Sequence, residues 1–226
     1  MLVLAIDTTA VASSAALVDD NGIIASFNVN NKLTHSQKLL PMIDSVITQA
    51  GYTIKDVDLF AVSAGPGSFT GVRIGISAVK GLAFSGNVPC VSVSSLEALA
   101  YMNKNCGAVM CPVMDARRDE YYNALFDSTF TRITEDRAIS ANELEEQLLK
   151  FDRVILNGDG AEKFYKWLDG RIPGVILSGE VTMLQNAGAV GLCALNKYKN
   201  GETVSSFELA PFYLRKPQAE REYKEK

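Results

Sequence analysis

A chain of 226 residues, 47% hydrophobic and 21% charged, is long enough to bury a real core as one large domain or two small ones. Its formal net charge of −4 excludes a broad electrostatic footprint for nucleic acid, so any role near RNA needs a partner protein. The opening Met1-Leu2-Val3-Leu4-Ala5-Ile6-Asp7 lacks the basic flank of a signal peptide, no apolar run reaches membrane-spanning length, and Cys90, Cys106, Cys111 and Cys193 form no CxxC pair, which together predict a cytoplasmic protein with reduced thiols and no zinc site.

Residues 2–7 read as a buried strand ending at Asp7-Thr8-Thr9. Residues 14–18 and 23–29 extend it around Asp19-Asp20-Asn21-Gly22 into a three-stranded meander. Thr34 to Gln37 matches a capping box, and Leu39, Leu40, Ile43, Val46, Ile47 and Ala50 follow at helical spacing until Gly51. His35 is the only histidine, placed at a helix start, where a capping or solvent-facing side chain is the common case.

A strand over 58–63 then runs into Ser63-Ala64-Gly65-Pro66-Gly67-Ser68-Phe69-Thr70-Gly71-Val72-Arg73-Ile74-Gly75. Gly65 and Gly67 can adopt positive φ, Pro66 fixes φ, and Ser68 or Thr70 can cap the next helix, predicted over 70–85. Two readings stand: a helix N-terminus that attracts an anion, or a tight strand-to-helix connection. The stretch is neither a Walker A loop nor GxGxxG. Along that helix Val72, Ile76, Val79 and Ala83 form an apolar stripe suited to covering a sheet. Gly71, Gly75, Ala78 and Ser85 form a small-residue stripe, along which a second helix can come close, from a partner or from the same monomer.

A strand over 89–93 and a helix begun at Ser94 or Ser95 complete the first half, and the polar stretch 101–107 marks a boundary. The second half repeats the layout: strand 108–114 ending at Asp115, strand 120–126, a third strand, helix 141–150, strand 154–156, the loop Asn157-Gly158-Asp159-Gly160-Ala161, helix 162–168, strand 175–177 and a long helix from about Met183 to Tyr198. The predicted organisation is two subdomains, 1–104 and 105–215, with the last helix packing back on the first subdomain and a frayed tail over 216–226. Asp7 and Asp115 each close a first strand, the place where duplicated ATPase folds carry phosphate-loop carboxylates, and Asp159 lies in a glycine loop that can face an adenosine; Asp, Gly and Asn are equally ordinary turn formers. With one histidine, no metal-spaced pair and no GxSxG elbow, no catalytic and no metal residue is predicted.

Asp7-Thr8-Thr9, Thr34-His35-Ser36, the stretch 63–75, Asp115-Ala116-Arg117-Arg118, Gly158-Asp159-Gly160-Ala161 and Pro211-Phe212-Tyr213-Leu214-Arg215 together closely resemble the bacterial TsaB (YeaZ) family, from the first strand to about Arg215. The resemblance implies the ASKHA fold of actin- and hexokinase-type ATPases, an α/β fold of two duplicated subdomains with mixed sheets flanked by helices. It implies a non-catalytic scaffold or activator that works with the catalytic subunit TsaD and the ATPase TsaE, placing a threonylcarbamoyl group on the adenosine beside the tRNA anticodon. It further implies no cofactor of its own, ATP or ADP bound within the assembled complex, and only indirect contact with tRNA. The family's partner surface is its two N-terminal helices, shared between TsaD and a competing second copy; carried onto this chain it comprises Leu39, Leu40, Ile43, Ile47, Gly71, Arg73, Gly75 and Ala78. A degenerate nucleotide site would comprise Asp7, Thr8, Gly65, Gly67, Ser68, Asp115 and Asp159. The alternative, from a different class, is a stand-alone ASKHA-type ATPase or small-molecule kinase using Asp7 and Asp115.

Overall fold

The structure, a computed structural model, describes residues 1–31 and 34–215; the predicted frayed tail lies outside the described residues. The first sheet holds β1 (Val3–Asp7), β2 (Ser13–Asp19), β3 (Gly22–Val29), β4 (Leu59–Gly65) and β5 (Cys90–Ser94) in the order β3-β2-β1-β4-β5. The first three strands are antiparallel neighbours, while β4 runs parallel to β1 and β5 parallel to β4. The second sheet holds β6 (Val109–Asp115), β7 (Glu120–Asn123), β8 (Arg137–Ser140), β9 (Val154–Asn157) and β10 (Val175–Leu177) in the order β10-β9-β6-β7-β8. Numbered from its own first strand, this is the same order with the same strand senses. The duplication expected of the ASKHA fold is therefore present in the topology.

Alternation along the central strands separates two cores. Leu4, Ile6, Phe60 and Val62 face a core closed by α1 (His35–Gln49) and α2 (Phe69–Phe84). Val3, Ala5, Leu59 and Ala61 face the opposite core, closed by α7 (Ala187–Lys199), whose small residues let it lie close on the sheet. A third core fills the second sheet against α4 (Ala141–Leu148) and α5 (Ala161–Leu168). A fourth joins the halves, with Leu96 and Leu99 of α3 (Ser95–Tyr101) packed with Met110, Met114 and Phe126.

Local chemistry moves several predicted boundaries. Thr34 is the N-cap of α1 but makes no side-chain capping bond, so the predicted capping box is not formed, whereas Ser140 and Glu143 form one at α4. The helix predicted from Met183 starts at Ala187: Leu184 is extended and ends a short turn, α6 (Glu180–Met183), and Asn186 then caps the new helix, its side chain accepting from the Gly188 N–H at 2.7 Å. Strand β7 stops at Asn123, where the buried side-chain amide donates to the Pro112 carbonyl at 3.1 Å. Cys90 and Cys111 are buried free thiols, pushed up by burial to about 11 and about 12, which suits inert packing residues.

Candidate functional site

The glycine turn that follows β4 approaches the chain itself. A Cβ at Gly65 (φ +115°) would meet the carbonyl oxygen of Phe212, and one at Gly67 (φ +157°) that of Thr9. Both neighbours are fixed: Phe212 N–H donates to Ala64 O at 2.8 Å and Ser68 N–H to Thr9 O at 2.7 Å. The Ser68 hydroxyl accepts from Gly71 N–H at 3.3 Å, so one of the free donors at the start of α2 is already engaged. Of the two sequence readings, the geometry matches the tight connection.

The same holds for the small-residue stripe. Thr8 Oγ1 donates to Gly71 O at 2.7 Å, a Cβ on Gly71 would run into the Thr8 carbonyl, and one on Gly75 would lie 2.6 Å from Thr8 Oγ1 and 3.3 Å from Val62 Cγ2. Gly71 and Gly75, expected at a partner interface, instead seat α2 on the β1–β2 turn. Leu39, Ile43 and Ile47 are likewise corrected: at 2%, 4% and 5% exposure they belong to the first core. Their neighbour Leu40, one position out of phase, is 57% exposed, because successive helical residues turn by about 100°.

What remains outside is a groove of about 540 Å³ between α1 and α2, lined by Leu40, Phe69, Arg73, Ile74, Ser77 and Ala78 with Ser36, Thr70 and the edge of Leu39. Of the predicted interface, Leu40, Arg73 and Ala78 therefore meet in one place, with the mostly buried Leu39 at its floor. The Arg73 guanidinium lies 3.8 Å from the centre of the Phe69 ring, and its Nε donates to the Tyr213 hydroxyl at 2.9 Å. Phe69 and Tyr213 stack at 4.7 Å. Phe69, Ile74 and Tyr213 were missed from sequence, although positions 69, 70, 73, 74, 77 and 78 trace a third face of α2 that helical spacing makes visible.

The residues of the expected nucleotide site fall into two separate groups. Asp7 is fully buried, accepts from Thr9 N–H at 2.9 Å and Thr9 Oγ1 at 2.7 Å, and its Oδ2 has no partner. Burial lifts its carboxyl above the ordinary 3.8, against the opposing effects of Thr9, Ser63 and His35. His35 Nε2 donates to the Ala10 carbonyl at 2.8 Å. Asp7, Thr8 and Gly65 are buried, and with the half-buried Gly67 and the exposed Ser68 they form a hydrogen-bonded seat for α2. Across from it, Asp115 is held by Arg117 N–H at 2.8 Å and by Lys163 Nζ at 3.5 Å. Asp159 lines a cleft of about 300 Å³ between the halves; the cleft walls push its carboxyl up to about 6, with Asp115 adding to the rise and Gln185 opposing it. Among the described residues, no group of three His, Cys, Asp or Glu could hold a metal ion.

Because the fold binds the Asp7 proton more tightly than the unfolded chain does, the stability linked to it is present in acid and lost as pH rises through the folded value. Asp7→Asn keeps the oxygen that accepts from Thr9 and removes the buried charge. It is expected to raise unfolding free energy at pH 7 by about 1–3 kcal/mol and to give no gain below about pH 3.8. Urea unfolding at the two pH values checks this, and equal gains at both would contradict it.

Residues 28–193 match the family model described as TsaD, tRNA N6-adenosine threonylcarbamoyltransferase. The chain is 30% identical to the tRNA threonylcarbamoyladenosine biosynthesis protein TsaB of Bacillus subtilis, over 99% of this chain and 98% of that protein. It is 32% identical to the protein of the same name from Escherichia coli, over 95% of each. The structure of YeaZ from Pseudomonas aeruginosa superposes with a TM-score of 0.75 at 27% identity, covering 94% of this chain and 99% of that one. The activator of the 2-hydroxyisocaproyl-CoA dehydratase from Clostridium difficile, with bound ADPNP, superposes at 0.55 with 9% identity over 89% of this chain and 97% of that one, a likeness of fold alone.

Proposed function

The chain belongs to the TsaB family and acts in tRNA threonylcarbamoyladenosine biosynthesis, and from that premise we propose that it is a non-catalytic subunit that activates TsaD by docking through the α1–α2 groove. The observation that carries the reading is the pairing of an open groove with a sealed Asp7. Leu40, Phe69 and Ile74 leave apolar area beside a cation, which is how docking surfaces are built, while the carboxylate an ATPase would use is closed off. The single histidine is tied to a backbone carbonyl rather than poised beside a nucleophile. The ATPase or kinase alternative is not favoured for the same reasons.

In this reading TsaD and a second copy compete for one groove, TsaE joins the assembled pair, and ATP or ADP is bound by the complex rather than by this chain alone. Contact with tRNA runs through the partner. No helix among the described residues is long and apolar enough to cross a membrane.

The experiment is reconstitution. Light scattering of the purified chain mixed with TsaD is expected to give a heteromer in place of any homodimer. Threonylcarbamoyl transfer to tRNA by TsaD and TsaE is expected to rise at least tenfold on its addition. Full transfer without the chain would overturn the activator role. ATP turnover by the isolated chain, lost in Asp7→Asn, would instead favour the enzyme.

A further inference from the structure

We propose that the cleft between the two halves binds a small organic cation, a ligand carrying an ammonium or amidinium group on a short apolar body. One wall of the cleft is the β1–β2 turn, with Ala10, Val11 and Ala12; the other comes from the second half, with Asp159, Glu162 and the segment 183–185. Its volume, about 300 Å³, is at the lower end of sizes typical for small-molecule sites.

The charge of the lining is one-sided. Asp159 and Glu162 line the cleft, and no lysine, arginine or histidine does. Lys163, the adjacent cation, is not part of the lining and is paired with Asp115 at 3.5 Å and Asp119 at 3.8 Å. The donors of the lining, the Asn30 and Gln185 amides, are neutral, so a polyphosphate would meet two carboxylates and no cation, and the cleft is unsuited to the part of a nucleotide that dominates its charge.

Gln185 supplies the independent observation. It is only 4% exposed, it lines the cleft, its Nε2 donates to Asp159 Oδ1 at 3.3 Å, and its Oε1 is buried with no partner. The amide cannot be flipped to cure this, because its oxygen would then face the Asp159 carboxylate, acceptor against acceptor. A buried acceptor without a donor is costly. An N–H donor entering the cleft would satisfy Oε1, and a cationic one would also meet the Asp159 carboxylate, which loss of hydration has pushed up to about 6. Ala10, Met183 and Leu184 leave apolar wall for the body of the ligand.

The test uses the full purified chain at pH 7.5, titrated with n-butylammonium while backbone amide chemical shifts are followed, with n-butanol and ADP titrated in parallel. The expected result is saturable binding of n-butylammonium, with shifts centred on residues 10–12, 158–162 and 183–185. Affinity should fall at least fivefold in Asp159→Asn and in Gln185→Leu. Asp159 is an exposed residue and Asn is nearly isosteric with it, so Asp159→Asn keeps the fold if the buried Gln185→Leu proves unstable. The proposal is overturned by no saturable shift at these residues, by equal binding of n-butanol, by preferred binding of ADP in this cleft, or by unchanged affinity in Asp159→Asn.

Discussion

Replacing Gly71 by alanine is expected to destabilise the protein by about 3 kcal/mol. In an open helical position the same change gains roughly 1 kcal/mol, since alanine is the better helix former. The sign reverses here because the new methyl would run into the Thr8 carbonyl oxygen and stand 3.3 Å from Ser68 Cβ. A backbone carbonyl has no rotamer with which to give way. Thr8 is also pinned, by its own hydroxyl on Gly71 O at 2.7 Å and by the Thr9 bonds to Asp7 that follow it. Helix α2 would have to lift, and Val72, Ile76 and Val79 would lose their contact with the first core. Gly81, on the same helix, has nothing within 4 Å of its built Cβ, so Gly81→Ala should stabilise by about 0.5–1 kcal/mol. Urea unfolding of the two variants decides the matter, and a Gly71→Ala protein as stable as the parent would mean that α2 is not seated on the β1–β2 turn.

Why the glycines were legible as close contacts, yet not as contacts with their own chain, follows from what spacing records. Gly65, Gly67, Gly71 and Gly75 signal that something comes near; the neighbours are Phe212, Thr9 and Thr8, brought there only by the fold. The stripe Val72, Ile76, Val79 and Ala83 was readable because one continuous sheet face buries all four. On α1 the apolar positions Leu39, Leu40, Ile43, Val46 and Ile47 look alike in sequence, and only the phase of the helix on the sheet singles out Leu40. The duplicated layout was visible as strands ending at Asp7 and Asp115, but equal placement did not bring equal environments: the first is sealed under Thr9 and Ser63, the second reaches a rim with Lys163. The stack of Tyr213 on Phe69 joins residues far apart in the chain, which local pattern cannot anticipate.

Leu40→Lys is expected to abolish association with TsaD, lowering affinity at least 30-fold, while leaving the fold intact. Leu40 is 57% exposed, so a lysine there keeps its ammonium in water in the free chain and changes stability by no more than about 0.5 kcal/mol. In a docked complex the same ammonium would be stripped of water against an apolar groove, a cost of about 2–5 kcal/mol when no partner charge meets it. Lysine is the more stringent choice because Arg73 lines the same groove: a glutamate could pair with that guanidinium, whereas a second cation is repelled by it. Ile43→Lys, one turn away but only 4% exposed, should instead unfold the protein, so the pair separates docking from folding. Light scattering of Leu40→Lys mixed with TsaD, together with its melting curve, reads both quantities. If a second copy competes for the groove, self-association must disappear in the same variant, since one apolar face cannot be lost to one occupant and kept for the other. A stable Leu40→Lys protein that still binds TsaD would place the docking surface elsewhere on the chain and leave the Phe69, Arg73 and Tyr213 cluster as a purely internal clasp between α2 and the chain's last described segment.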